Sequence, residues 1–265
     1  MIDHELAFRN LEEVRNNLEN IDFDYIVELI KNSLVKIPFS TAKLKPGMLI
    51  DRVRFNSPPE ETLFKSEESV SYIKDKKAIA DFLTEYGRAN KPHEVIFYGA
   101  IESTKIPTQR VTAIFEKSEL LESKDSVHLE GELYTLSRWE VIKEMEVVEV
   151  VFSDLAIKSN PDTKKAFEYH FNNIYNDPNR EFFLRQLKFF SDEFARKINS
   201  DNDYKISVAY TDVALNHAGY SGIIYPSVKS DYKGQNVALK PSVIDNNLIL
   251  KHVSTIRLHK NKEKA

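Results

Sequence analysis

Cysteine is absent from the 265 residues, which excludes disulfides, thiolate zinc sites and a cysteine nucleophile. A chain built this way fits a reducing compartment. Long hydrophobic runs are also missing. The richest apolar stretch, VVEVVF at 147–152, is far too short to cross a bilayer. The N-terminus, MIDHELAFRN, carries acids early and lacks an apolar h-region, so no signal peptide is expected. Neither sign of charge dominates: a net charge of −4 gives no reason to expect nucleic acid or a membrane as partner. The histidines show no HxxxH or HxH spacing, so no metal site is expected. No GxGxxG follows a strand-like run, which argues against a doubly wound dinucleotide fold. A cytoplasmic protein is the expectation.

The remaining pattern is mixed. Residues 3–35 carry Leu6, Phe8, Leu11, Val14 and Leu18 at three- and four-residue steps, then FDYIVELIKNSLV with a similar period, which predicts a helical pair. MLIDRVRF at 48–55 alternates as a strand does, with Leu49, Asp51, Val53 and Phe55 on one side. Residues 56–77 read as a long polar loop, 78–86 as a short helix ending at Gly87, and EVIFYGA at 94–100 as a buried strand. A helix is predicted over 108–121, with Val111, Ile114, Phe115 and Leu121 as its apolar stripe and Thr112 and Glu116 on a more polar side. Residues 129–138 and 143–153 are strand-like. Three helices follow, two of them starting near prolines at 161 and 178, and then GIIYPS, NVALKPSVI and LILKHVSTIRL read as strands. The order lacks strict βαβ alternation, so the fold class is α+β. Three segments are expected: a helical N-terminal extension over 1–45, a catalytic domain over 46–258 and a basic tail over 259–265.

The placement of the seven glycines is informative. Six sit in PGMLIDR, YGRAN, FYGA, GYSG and KGQN, beside arginine, tyrosine or serine in most cases. Glycine permits positive φ or a close backbone approach, so these segments are candidates to surround one cleft. A serine nucleophile in GYSGIIYPS does not fit: the GxSxG elbow would need glycine at Ile223 when Ser221 is the serine, and Ser227 is followed by Val-Lys.

DRVRF, GRANKP, VIFYGA, TAIFE and then GYSGIIYPSV with GQNVALKP, in that order from about Met48 to Leu258, resemble the RES domain, a family named for its arginine, glutamate and serine. The resemblance implies an ADP-ribosyltransferase-like mixed β-sheet core with flanking helices, and activity on NAD⁺ as substrate with no separate cofactor. It implies the toxin half of a bacterial toxin–antitoxin pair, partnered by a protein antitoxin. The implied reaction is phosphorolysis of the nicotinamide–ribose bond, with mono-ADP-ribosylation of a protein as the first alternative and a non-catalytic nucleotide-binding module as the second.

Residue by residue, the family arginine falls on Arg52, with Arg54 as the other register, the glutamate on Glu116 and the serine on Ser227. Arg88, Asn90, Tyr98, Tyr225 and Asn236 are the implied substrate-binding residues. The chemistry asks for these types. Breaking the glycosidic bond develops positive charge on the ribose, which a carboxylate stabilises, and Glu116 takes that role. A pyrophosphate calls for guanidinium forks, here Arg52 and Arg88. Tyr98 would meet the nicotinamide, and Ser227 would hydrogen-bond phosphate or a ribose hydroxyl. Two positions depart from the family pattern: Asp51 stands where a tyrosine is frequent, and Ala89 replaces a tryptophan.

Overall fold

A computed structural model describes residues 3–34, 39–56, 64, 66–122 and 131–259. Helices α1 (His4–Val14) and α2 (Phe23–Ser33) are followed by strands β1 (Thr41–Leu44) and β2 (Leu49–Phe55) and the short helices α3 (Glu67–Val70) and α4 (Lys76–Phe82). Next come β3 (Phe97–Ile101), α5 (Gln109–Phe115), α6 (Glu119–Glu122), β4 (Glu132–Val141) and β5 (Met145–Glu149). Helices α7 (Asp154–Ser159), α8 (Pro161–Asn173), α9 (Arg180–Ala195) and α10 (Lys205–Asp212) lead to β6 (Gly222–Pro226), β7 (Gln235–Leu239), α11 (Pro241–Asn247) and β8 (Leu248–Leu258). The strands form one mixed sheet, ordered β1-β5-β6-β7-β3-β2-β4-β8. Among the described residues only β5 and β6 are parallel neighbours; the other pairs are antiparallel. The chain is α+β, as its element order implied.

The helical pair forms where the sequence period placed it, and its starts are capped. Asp3 accepts from the amides of Glu5 and Leu6, and Asp22 from those of Asp24 and Tyr25. Phe8, Leu11, Ile26 and Ile30 are fully buried and share one apolar cluster with Phe190 of α9, Ile206 and Tyr210 of α10, and Ile223 of β6. The turn between α1 and α2 is tied down by Lys205, whose ammonium donates to the carbonyls of Leu18 (2.7 Å) and Ile21 (3.0 Å). The segment 1–45 therefore packs into the main core, and its last part supplies β1, paired with β5.

Five expectations change. The loop over 56–77 is interrupted by α3, capped by Ser66, and gives way to α4 at Lys76. The helix over 78–86 instead spans Lys76–Phe82 and ends on Leu83, because Asp75 caps it from the front and Gly87 lies five residues past its last turn. NVALKPSVI is not one strand: Pro241 is the first residue of α11, where its missing N–H breaks no helical bond. The strand over 94–100 begins only at Phe97. The helix over 108–121 breaks at Glu116, since the Ser118 hydroxyl caps a second turn by accepting from the Leu121 amide. Its buried face also differs from the expected stripe. Val111 and Leu121 are exposed, whereas Thr112 and Ala113 lie against the sheet. Thr112 fits there because Gly234 faces it; a Cβ at Gly234 would come within 2.3 Å of the Thr112 hydroxyl. The loop prolines 58 and 59, the start of the strand over 129–138 and the tail beyond His259 lie outside the described residues.

One irregularity of the sheet positions the site. Strand β2 pairs with β4 along its whole length, Leu49 to Phe55, and β3 pairs with β7 from Phe97 to Ile101. Between β2 and β3, however, the ladder holds only Ile50–Ile101 and Asp51–Ala100. Beyond Asp51 the two central strands separate, and a cleft opens between them.

Candidate active site

The cleft has a volume of roughly 1250 Å³. Arg52 and Arg54 of β2 enter it from one side and Tyr98 and Gly99 of β3 from the other. Glu116, at the end of α5, stands on its floor, with Asn236 of β7 and Tyr225 of β6 beside it. The loop carrying Gly87, Arg88 and Asn90 forms the rim beside Tyr98. Of the five glycine-bearing segments, YGRAN and FYGA line the cleft, and KGQN seats the helix that delivers Glu116. Gly47 and Gly219 serve turns at positive φ, with no heavy atom within 4 Å of a Cβ placed there.

Glu116 is held by two side chains. The Ser227 hydroxyl donates to Glu116 Oε1 at 2.6 Å, and the Asn236 amide donates to the same oxygen at 2.7 Å. Ser227 is fully buried and sits behind the carboxylate instead of lining the cleft. Its own backbone is fixed by turn bonds: its amide donates to the Gly234 carbonyl, and its carbonyl accepts from the Tyr232 amide. A carboxylate with one oxygen pinned by two donors keeps its orientation, which a group meant to face a developing cation requires. The Ser227 hydroxyl is thus committed to Glu116, a contact the sequence did not indicate.

Arg52 bridges the split in the sheet. One terminal nitrogen donates to the Tyr98 carbonyl at 2.9 Å, in the region where β2 and β3 no longer pair, and the guanidinium lies 5.0 Å from the Phe97 ring centre. Its Nε is buried with no hydrogen-bond partner. Arg54 donates to the Ser71 carbonyl at 2.8 Å and lies over Phe64, and its Nε is likewise buried and unpartnered. Burial, with the nearby Arg54 charge, pulls the Arg52 guanidinium below its ordinary range, and burial does the same to Arg54. Both shifts record guanidinium charge held out of water.

Arg88 has a different environment. Its guanidinium donates to the Phe194 carbonyl at 2.7 Å and, at longer range, to those of Glu193 and Arg196, at the C-terminal end of α9. It also lies 4.8 Å from the Tyr204 ring centre. A helix end leaves carbonyls without partners and carries partial negative charge, and Arg88 satisfies both. Tyr98 is similarly engaged: its hydroxyl accepts from the Ala89 amide (2.9 Å) and donates to Asn90 Oδ1 (2.6 Å). Burial raises the phenol well above its usual range, so it remains a donor. The same holds for Tyr225. The rim needs glycine at position 87, since a Cβ there would fall 2.3 Å from Asn90 Oδ1.

Asp51, in place of the family's tyrosine, points away from the cleft and forms a two-point pair with Arg138, both bonds 2.7 Å. Ala89, in place of tryptophan, is buried and contributes its amide to Tyr98. Several cleft residues had no signal in the sequence, among them Lys117, which follows Glu116, and Tyr204 and Lys229. Among the described residues, no group of three or more histidine, aspartate or glutamate side chains is arranged to hold a metal. No described helix is long and apolar enough to cross a membrane.

No family model matches the chain, and no curated protein does. Among solved structures it is similar to a chain from the crystal structure of the M. tuberculosis MbcT–MbcA toxin–antitoxin complex. The two are 13% identical with a TM-score of 0.35, over 87% of this chain and 91% of that one. A likeness at that level decides nothing about the site, whose residues are read from their geometry.

Proposed function

We propose that the cleft binds NAD⁺ and cleaves its nicotinamide–ribose bond by transfer to inorganic phosphate. The observation that carries this reading is Glu116: a carboxylate oriented by Ser227 and Asn236 on the floor of a cleft whose near wall presents two partly unsatisfied guanidinium groups. The order of the RES-like motifs supports the same reading. As the C1′–N bond breaks, its electron pair leaves with neutral nicotinamide, and positive charge on the ribose falls beside Glu116. Both hydrogen bonds from the protein go to Oε1, so Oε2 is the oxygen available to the ribose. A phosphate oxygen then bonds to C1′, giving ADP-ribose phosphate. Arg52 and Arg54 hold phosphate groups, and Arg88 holds the rim in place without reaching for the ligand.

Mono-ADP-ribosylation of a protein uses the same residues and differs in the acceptor. Incubating the purified chain with NAD⁺, with and without phosphate, separates the two by nicotinamide release. Phosphate-dependent release is the expected result. Release indifferent to phosphate overturns phosphorolysis, and no release overturns the enzymatic reading in favour of a binding module. A toxin role follows from the chemistry, because draining NAD⁺ harms the cell that contains it. Its partner would be an antitoxin protein that covers the cleft mouth.

A further inference from the structure

The helical pair α1 and α2 lies outside the motifs that the proposed function uses, yet its side chains reach the rim of the cleft. That rim, between α4 and β3, has no helix or strand of its own. Within residues 84–92 one backbone hydrogen bond closes it, from the Gly87 amide to the Asn90 carbonyl. Its shape therefore depends on what surrounds it. The Tyr98 hydroxyl holds Ala89 and Asn90, and Ser207 of α10 donates to the Arg88 carbonyl at 2.8 Å. The next support comes from the N-terminal extension. Phe23, the first residue of α2, stacks on Tyr86 with ring centres 5.8 Å apart and planes 30° apart. Tyr86 itself lines the cleft. The Lys91 ammonium lies 5.3 Å from the Phe23 ring centre.

A second arm comes from α1. Arg15, at its C-cap, pairs with Glu193 of α9 at 2.6 Å, and the Glu193 side chain is fully buried. Arg196 approaches the other carboxylate oxygen at 3.5 Å. Burial raises the Glu193 carboxyl above its usual range, with Arg196 and Arg15 opposing it. The backbone carbonyls of Glu193, Phe194 and Arg196 are the ones that receive Arg88. One turn of α9 is thus gripped by the rim through its backbone and by the N-terminal extension through its side chain. A buried carboxylate that loses one of two cations is left undercompensated, so displacing α1 disturbs the turn on which Arg88 rests.

We infer that the N-terminal helical pair is a positioning element of the cleft: Phe23 and Arg15 fix the rim over residues 84–92, so ligand affinity depends on α1 and α2 being docked. Glu116 is held separately, by Ser227 and Asn236, so the chemical step does not share this dependence. The positioning stands on contacts; only its kinetic consequence rests on the proposed NAD⁺ reaction.

The test is amide hydrogen exchange over residues 84–92 of the full-length chain, joined to the kinetics of nicotinamide release. The Gly87 and Ala89 amides report on the rim, since both are hydrogen-bonded within it. Phe23→Leu keeps an apolar side chain and removes the stack. Exchange at these amides should quicken by about three- to tenfold, the factor an aromatic pair is worth. KM for NAD⁺ should rise by a similar factor, with kcat within about twofold of wild type. Arg15→Met should quicken the same amides and Arg15→Lys restore them, because lysine keeps a cation opposite Glu193. If Arg15→Met does not fold, Phe23→Leu decides alone. Ala7→Gly, a change inside α1, is the control for lost stability. It should lower the melting temperature and leave rim exchange and KM as in wild type. Unchanged exchange in Phe23→Leu overturns the inference, as does equal quickening in Ala7→Gly, which would mark general loosening. A fall in kcat with KM unchanged also overturns it. A wild type that releases no nicotinamide defeats the proposed reaction instead, and rim exchange then decides the inference by itself.

Discussion

The two arginine-bearing walls of the cleft look equivalent in the sequence and are opposites in the structure. On the β2 wall, Arg52 and Arg54 each make one hydrogen bond to a carbonyl and leave a buried Nε unpartnered. On the rim, Arg88 directs both terminal nitrogens at the carbonyl end of α9. The first arrangement leaves part of each guanidinium uncommitted; the second commits most of it. Residue type is the same in both cases, so the difference between these guanidinium groups lies in where their donors go.

Changes at Glu116, between the two walls, should have the largest effect. Glu116→Gln keeps the shape and a hydrogen-bonding group but removes the charge that the proposed reaction sets against the ribose. Nicotinamide release should fall by about 10²–10³ in kcat, the range seen when an oriented electrostatic group is lost. A variant within threefold of wild type would remove Glu116 from the chemistry.

Arginine replacements then test the comparison itself. Arg88→Met strips the α9 end of its donors and should lower stability by about 2–3 kcal/mol, as for a buried charged hydrogen-bonding group, read by denaturant unfolding. Arg52→Lys, by contrast, should change stability little and raise the KM for NAD⁺ by roughly tenfold, because lysine cannot reproduce a planar fork. If Arg88→Met folds normally but loses NAD⁺ affinity, the division between the walls is wrong.

Ser227→Ala probes the support of the carboxylate. It should lower kcat by about tenfold with KM nearly unchanged, the pattern of a lost interaction that matters mainly in the transition state. A rise in KM alone would instead place the serine on the ligand, as the sequence first implied.

The smallest effect is a pH dependence. Partial desolvation in the cleft and the neighbouring cations lower the Lys117 pKa in the folded state, so across the interval between that value and the ordinary lysine value the unfolded chain binds more protons. Stability from this group therefore rises with pH through that interval and is lost as pH falls through the folded-state pKa. Denaturant midpoints of wild type and Lys117→Met should converge toward alkaline pH and separate, with the variant higher, toward neutrality.

Much of the fold was legible because its determinants are local. Periodic apolar residues placed α1, α2 and α9, alternation placed β2, and prolines marked the start of α8. Misreadings fell where a tertiary contact overrode a local signal. Thr112 looked like a polar-face residue, but a glycine on a distant loop makes room for it against the sheet. Leu239 and Ile244 looked like parts of one strand, but Pro241 turns the chain into α11.

The same division holds for the site. By itself the sequence determined the chemical inventory: no thiol, no metal cluster pattern, and an arginine, a glutamate and a serine in motifs that fold toward one another. Tertiary structure alone decided what each group does. Hydrogen-bond partners and burial are properties of neighbours far apart in the chain, 111 residues in the case of Ser227 and Glu116. Only when those neighbours meet does a serine become a support, one arginine a helix cap, another a brace between two separated strands, and an unmarked lysine part of the cleft.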